Sequence, residues 1–181
     1  YAIAGCDLSS VKDLTCATLL IRRREDESIY VLQHYFLPEA RIEELDAKSS
    51  KEAPYEKWEE RGLMTFCKGE MVQYSDVTAW YQQMKDEYQI DIWRCGYDRA
   101  MANYWVEEMK YQFGDVMESV AQGAKTWTVP MKEMGAMLAE HKINYNNNPI
   151  LKWCLTNTAV KTLGSLESIE PVKIRRKRRI D

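Results

Sequence analysis

Three aspartates stand where the chain changes character. Asp7 closes the apolar run Ile3-Ala4-Gly5-Cys6, Asp98 follows Trp93-Arg94-Cys95-Gly96-Tyr97, and Asp181 follows the basic run Arg175-Arg176-Lys177-Arg178-Arg179-Ile180. Three carboxylates from three distant segments, one beside a polycation, point to a divalent-metal centre that handles nucleic acid. Hydrolysis of a phosphodiester needs an activated water and stabilised charge on the phosphoryl and leaving oxygens. Two Mg²⁺ or Mn²⁺ ions about 4 Å apart can provide both. Mg²⁺ takes oxygen ligands and keeps several waters, so a few carboxylates suffice. Strand alternation puts Ile3, Gly5 and Asp7 on one face, and Ile92, Arg94, Gly96 and Asp98 on one face of a later strand. Gly5 and Gly96, each two residues before its Asp, leave room beside the acids. On spacing alone a plainer reading stays open, in which Asp7 and Asp98 end strands or cap turns.

The charge balance is −3 overall, but it is unevenly distributed. Six of the 25 bases and one of the 28 acids fall in residues 171–181, which leaves 19 bases against 27 acids, a net of −8, in the rest. An acidic body with a concentrated basic end suits local phosphate contact better than general adhesion to DNA. Arg175, Arg176, Lys177, Arg178 and Arg179 are therefore candidate DNA contacts, with Lys125 a lesser one; a solvated tail is the alternative. The odd count of five Cys, without a CxxC, reads as reduced thiols that are mostly buried. No apolar run reaches the length of a membrane span. The chain opens on Tyr1 in a strand-like run without an initiator Met, as expected of a piece of a larger protein.

Rival chemistries find little support. Gln122-Gly123-Ala124-Lys125-Thr126 lacks the glycine spacing of a P-loop. Only His34 and His141 are present, far apart and without paired Cys, which argues against zinc. The stripe Met131, Met134, Leu138 reads as core. Asn157 falls on the apolar stripe of its helix, four residues after Trp153, where its amide must find a partner. That partner is either backbone or an active-site group that Asn157 orients.

The elements that must position these residues follow from periodicity. Tyr1–Leu8, Leu14–Ile21 and Ile29–Leu37 read as three strands joined by short turns, an antiparallel meander. Residues 39–62 are charge-rich and read as one or two helices broken at Pro54, an insertion covering a sheet edge. Glu70–Tyr74 reads as a short strand. Val77, Trp80, Tyr81, Met84 and Tyr88 form one helical stripe, with Ser75 as its cap. Ile90–Tyr97 is then a strand, Met101–Gln112 a helix and Val116–Val120 a strand. Pro130 is placed at the first position of a helix to about His141. Asn148 caps a helix that Pro149 begins and that runs to about Lys161, and Ser165–Ile174 is extended. The result is an α/β mixed sheet, an antiparallel three-strand meander plus parallel strands, flanked by helices. This order matches the ribonuclease H-like fold, which sets the strands of Asp7 and Asp98 side by side.

Asp7-Leu8-Ser9 followed by Asp13-Leu14-Thr15 resembles the opening of the nuclease domain of bacteriophage large terminase subunits. Gly96-Tyr97-Asp98 is similar to that family's second acidic motif. Gln122-Gly123 with Met131-Lys132-Glu133 resembles its central segment. Asn148-Pro149-Ile150-Leu151-Lys152-Trp153 with Asn157 is similar to its late helix, and Arg179-Ile180-Asp181 to its third acidic motif. The resemblance implies a ribonuclease H-like endonuclease that cuts concatemeric viral DNA at packaging. Its metal ligands and catalytic residues would be Asp7, Asp98 and Asp181, holding two Mg²⁺ or Mn²⁺ ions. It implies double-stranded DNA, the small terminase subunit and the portal of the procapsid as partners, in the host cell cytoplasm and without a membrane. Residues 1–181 are expected to be a single nuclease domain with a helical insertion at about 39–62, without the family's preceding ATPase motor domain and its final helix. The alternatives are a Holliday-junction resolvase or ribonuclease H on the same fold, and a non-catalytic DNA-docking module.

Overall fold

A computed structural model describes residues 1–9, 13–47, 53–99, 103–164 and 167–174. β1 (Ala2–Asp7), β2 (Thr15–Arg22) and β3 (Ile29–Pro38) form the antiparallel meander. α1 (Glu39–Ala47) and α2 (Tyr55–Glu60) follow, on either side of Pro54. β4 (Met64–Cys67) then joins β3 in parallel. The sequence reading missed β4 and placed a strand at Glu70–Tyr74 instead. That segment cannot pair: Gly69 sits at φ +90°, and Tyr74 already starts the next helix.

α3 (Tyr74–Tyr88) leads into β5 (Ile92–Tyr97), which pairs β1 in parallel. α4 (Asn103–Phe113) and β6 (Met117–Ser119) complete the parallel side, giving the order β4-β3-β2-β1-β5-β6. Gln73 rather than Ser75 caps α3, without a side-chain bond, and Tyr88 is 62% exposed because the helix outruns the core. α5 (Ala124–Ala139) starts six residues before Pro130, so the proline lies inside the helix rather than at its head. β7 (Ile143–Asn144) pairs β3. α6 (Pro149–Asn157) is capped as the sequence indicates, the Asn148 carboxamide accepting from the N–H of Ile150 at 2.9 Å and of Leu151 at 3.3 Å. It ends four residues before Lys161. Thr158–Leu163 is instead β8, in an antiparallel hairpin with β9 (Ser168–Lys173).

Period-two alternation divides the sheet into two packed faces. On one, Ala4 and Cys6, Ala17 and Leu19, and Phe36 meet Val77 and Tyr81 of α3 and Trp105 and Met109 of α4. On the other, Cys16, Tyr35 and Leu37 meet Tyr55 and Trp58 of α2 and Ile150 and Cys154 of α6. The 39–62 insertion thus adds core to a sheet face through α2; it does not merely cover an edge. α5 buries no residue completely. Met134 is 38% exposed, so the methionine stripe borders the second face without becoming core.

Candidate metal centre

Pairing of β1 with β5 brings Asp7 and Asp98 together. The register sets Gly5 against Gly96 and Cys6 against Tyr97. One step further, Asp7 ends β1 and Asp98 directly follows β5, on strands about 4.8 Å apart. Cys6 and Cys95 point into the α3–α4 core, so by alternation the two aspartates face the opposite side. The expected set Ile92, Arg94, Gly96, Asp98 breaks at its start. The register shifts between Ala2 and Ile3, which turns Ile92 toward the core and leaves Trp93 58% exposed.

Asp7 and Asp98 line one concavity of about 500 Å³. Gly5 and Gly96 are its floor. A Cβ on Gly5 would meet nothing within 4 Å, whereas one on Gly96 would come to 3.2 Å from Val120 Cγ2. From below, the buried Tyr81 hydroxyl donates to the Gly5 carbonyl at 2.8 Å and holds the strand in place. One wall carries Cys16, Thr18 and Gln33. The Gln33 amide donates to Thr18 Oγ1 at 3.1 Å and accepts from the Tyr35 hydroxyl at 3.2 Å, which fixes that wall's polar surface. The far rim carries Gln122 and Trp127, either side of the Gly123 cap of α5.

Asp13 lies close by, tied to the end of β1 through Ser9 and Thr15. The Ser9 N–H donates to Thr15 Oγ1 at 2.9 Å, and the Thr15 hydroxyl donates back to the Ser9 carbonyl at 2.8 Å. The Asp13 N–H donates to Ser9 Oγ at 3.2 Å. Lys173, at the end of β9, reaches Asp13 Oδ2 at 2.8 Å. Asp7 keeps a solvent-facing side, yet the crowding of protein around it is the largest cause of a pKa raised above the usual carboxylate range. The negative charges of Asp98 and then Asp13 add to the shift, and Lys173 opposes it.

Two carboxyl groups over open floor space suit a hard, oxygen-seeking cation, and one or two carboxylates are enough for Mg²⁺. Among the described residues no group of three or more His, Cys, Asp or Glu side chains gathers at ligand spacing. Asp181 and Arg175, Arg176, Lys177, Arg178 and Arg179 lie outside the described residues. Lys125 is exposed in the first turn of α5, two residues before the rim residue Trp127. Asn157 is buried at the end of α6; its side-chain N–H₂ has no partner among the described residues, while its backbone carbonyl accepts from the Ile174 N–H at 2.9 Å. Sequence reasoning did not pick out Lys173, Gln33, Thr18 or Trp127 for the site. Polar Thr18 and Gln33, directly paired across β2 and β3, were the signal available for that wall.

A family model described as terminase large subunit, endonuclease domain, matches residues 1–181. The large terminase subunit of Enterobacteria phage HK97 is 26% identical over 164 residues, which is 87% of this chain and 30% of that protein. Protein YmfN of Escherichia coli K12 is 22% identical over 188 residues, 99% of this chain and 40% of that protein. The chain thus spans well under half the length of these relatives. The crystal structure of the HK97 large terminase superposes with a TM-score of 0.81 at 22% identity, over 99% of this chain and 36% of that one. The large terminase nuclease of thermophilic phage G20c superposes with a TM-score of 0.59 at 11% identity, over 97% and 73%. Its structure with bound magnesium gives 0.56 at 10%, over 99% and 75%. These likenesses carry the mixed α/β, ribonuclease H-like fold. Among the described residues no helix is long and apolar enough to cross a membrane.

Proposed function

The chain belongs to the family of terminase large subunit endonuclease domains, and from that premise we propose that it hydrolyses double-stranded DNA at the Asp7–Asp98 concavity when viral concatemers are cut for packaging. The observation that carries this reading is the placement of two carboxylates side by side over a glycine floor, in a concavity open enough for a phosphodiester. Asp7 and Asp98 would hold Mg²⁺ or Mn²⁺, with Asp181 as the third acid and two ions in the complete site. The magnesium bound in the G20c nuclease supports the choice of a divalent ion. Such an ion supplies Lewis-acid charge at a phosphoryl oxygen and acidifies water.

The chain's own residues do the rest. Gly5 and Gly96 keep the floor low, so that the backbone of the substrate can approach the acids. Gln33 and Thr18 present a fixed polar wall. Lys125 and the run Arg175–Arg179 would contact backbone phosphates, and Asn157 would orient an acid from within α6. Residues 1–181 would act as one nuclease domain, with the helices of 39–62 as an insertion. Duplex DNA, the small terminase subunit and the portal of the procapsid are the proposed partners, in the host cell cytoplasm. Nicking of supercoiled plasmid in Mg²⁺ or Mn²⁺ tests the reading. Wild type should cut plain duplex without need of a branch or an RNA hybrid, and Asp98→Asn should abolish cutting without lowering the melting temperature. Equal cutting by Asp98→Asn would defeat it.

A further inference from the structure

Lys173 is carried to Asp13, whose N–H bonds Ser9 Oγ two residues past Asp7, by an element remote in sequence from both site aspartates. Its strand pairs Thr158 with Lys173, and the next residue, Ile174, bonds the Asn157 carbonyl at 2.9 Å, so the root of the β8–β9 hairpin is tied to the end of α6. Along α5 the hairpin is held by the Ile169 N–H, which donates to Thr128 Oγ1 at 2.9 Å. From this fixed root Lys173 Nζ crosses to Asp13 at 2.8 Å. The Lys173 side chain is 31% exposed and that of Asp13 41%, so the pair sits at a solvent-facing rim. Such an exposed pair adds little to stability, and its placement matters more than its strength. Acidic side chains crowd this rim, and Lys173 opposes the effect of Asp98 and Asp13 on Asp7. Lysine binds phosphate as a mobile point charge.

We propose that Lys173 is a phosphate-contacting residue of the nuclease centre, whose ammonium Asp13 holds at the rim until the DNA backbone takes it over. This rests on the nuclease reading above. The test is equilibrium binding of a labelled DNA duplex in Ca²⁺ across a salt series, with wild type, Lys173→Met, Lys173→Arg and Asp13→Asn, each also melted thermally. Lys173→Met should weaken binding about fivefold on every sequence and reduce the slope of log affinity against log salt by about 0.9. Lys173→Arg should restore the slope, and Asp13→Asn should leave it intact. An unchanged slope in Lys173→Met overturns the proposal. So do equal losses of binding in Lys173→Met and Asp13→Asn that follow a shared fall in melting temperature, because these mark a structural latch. A wild-type chain without affinity for duplex DNA would overturn the nuclease reading as well; one that binds and cuts, with Lys173→Met unchanged, removes Lys173 alone.

Discussion

Asp7 and Asp98 stand side by side at the carboxyl ends of two parallel strands, one register step beyond the Cys6–Tyr97 pair, and share the sheet face opposite the α3–α4 core. Without a cation this arrangement works against the fold. The pKa of Asp7 lies above its unfolded value, so the folded chain holds that proton more tightly and loses stability as pH rises through the window. Asp7→Asn removes the repulsion. At pH 7 and low salt, without divalent ions, it should raise stability by roughly 0.5 kcal/mol, a small figure because the carboxylate meets solvent. Added salt should shrink the gain. Calorimetric melts check this, and a lower melting temperature would show that the charge of Asp7 is satisfied rather than repelled.

The glycine floor separates folding from function. Gly5 has open space where a Cβ would stand. Gly5→Val should therefore fold, within about 1 kcal/mol of wild type, while its side chain occupies the concavity and suppresses cleavage and metal uptake. Melting curves and Mg²⁺ calorimetry read the two effects separately. Wild-type metal affinity in Gly5→Val would place the ion elsewhere.

His34 makes the fold sensitive to acid. Its ring bonds Thr65 Oγ1 at 2.8 Å and stacks on Trp80 at 6.0 Å, and burial pushes its pKa from 6.5 down to about 4. The folded chain thus keeps the ring neutral where the unfolded chain takes up a proton. The associated stability is present above pH 6.5 and lost as pH falls toward 4, up to about 3 kcal/mol in all. Urea titrations should show His34→Gln losing less stability than wild type between these limits. Parallel pH profiles would refute the assignment.

α6 depends on its cap. Asn148 satisfies two N–H groups of a nine-residue helix whose Ile150 and Cys154 anchor the second core face. Asn148→Ala should cost about 1 kcal/mol, visible in a denaturant midpoint. A loss below a few tenths would mean that tertiary packing alone holds the helix.

The sequence carries those features whose physical cause is local. The order of strands and helices, which sets the strands of Asp7 and Asp98 side by side, pointed to their convergence, alternation in Ala2–Asp7 gave the face, and Asn148-Pro149 marked a helix start. Longer-range causes were hidden. β4 is four residues long and takes its strand character from pairing with β3. The bulge that turns Ile92 inward arises from the match of β5 to β1. α6 stops at Asn157 because Thr158 is taken into a hairpin closed by Lys173. Pro130 suits a helix start, yet α5, which buries no residue completely, absorbs it in its interior. The Lys173–Asp13 contact joins residues 160 apart, and no periodicity reports it.

In the proposed nuclease, Asp7 and Asp98 form one metal-binding centre. Anomalous scattering from crystals soaked in Mn²⁺ tests it most directly. A peak is expected on the concavity floor above Gly5, within coordination distance of a carboxylate oxygen from each aspartate, and it should disappear in Asp98→Asn. Saturating Mn²⁺ with no peak between them, or carboxylates more than about 8 Å apart, too far to share a two-ion site, would contradict it.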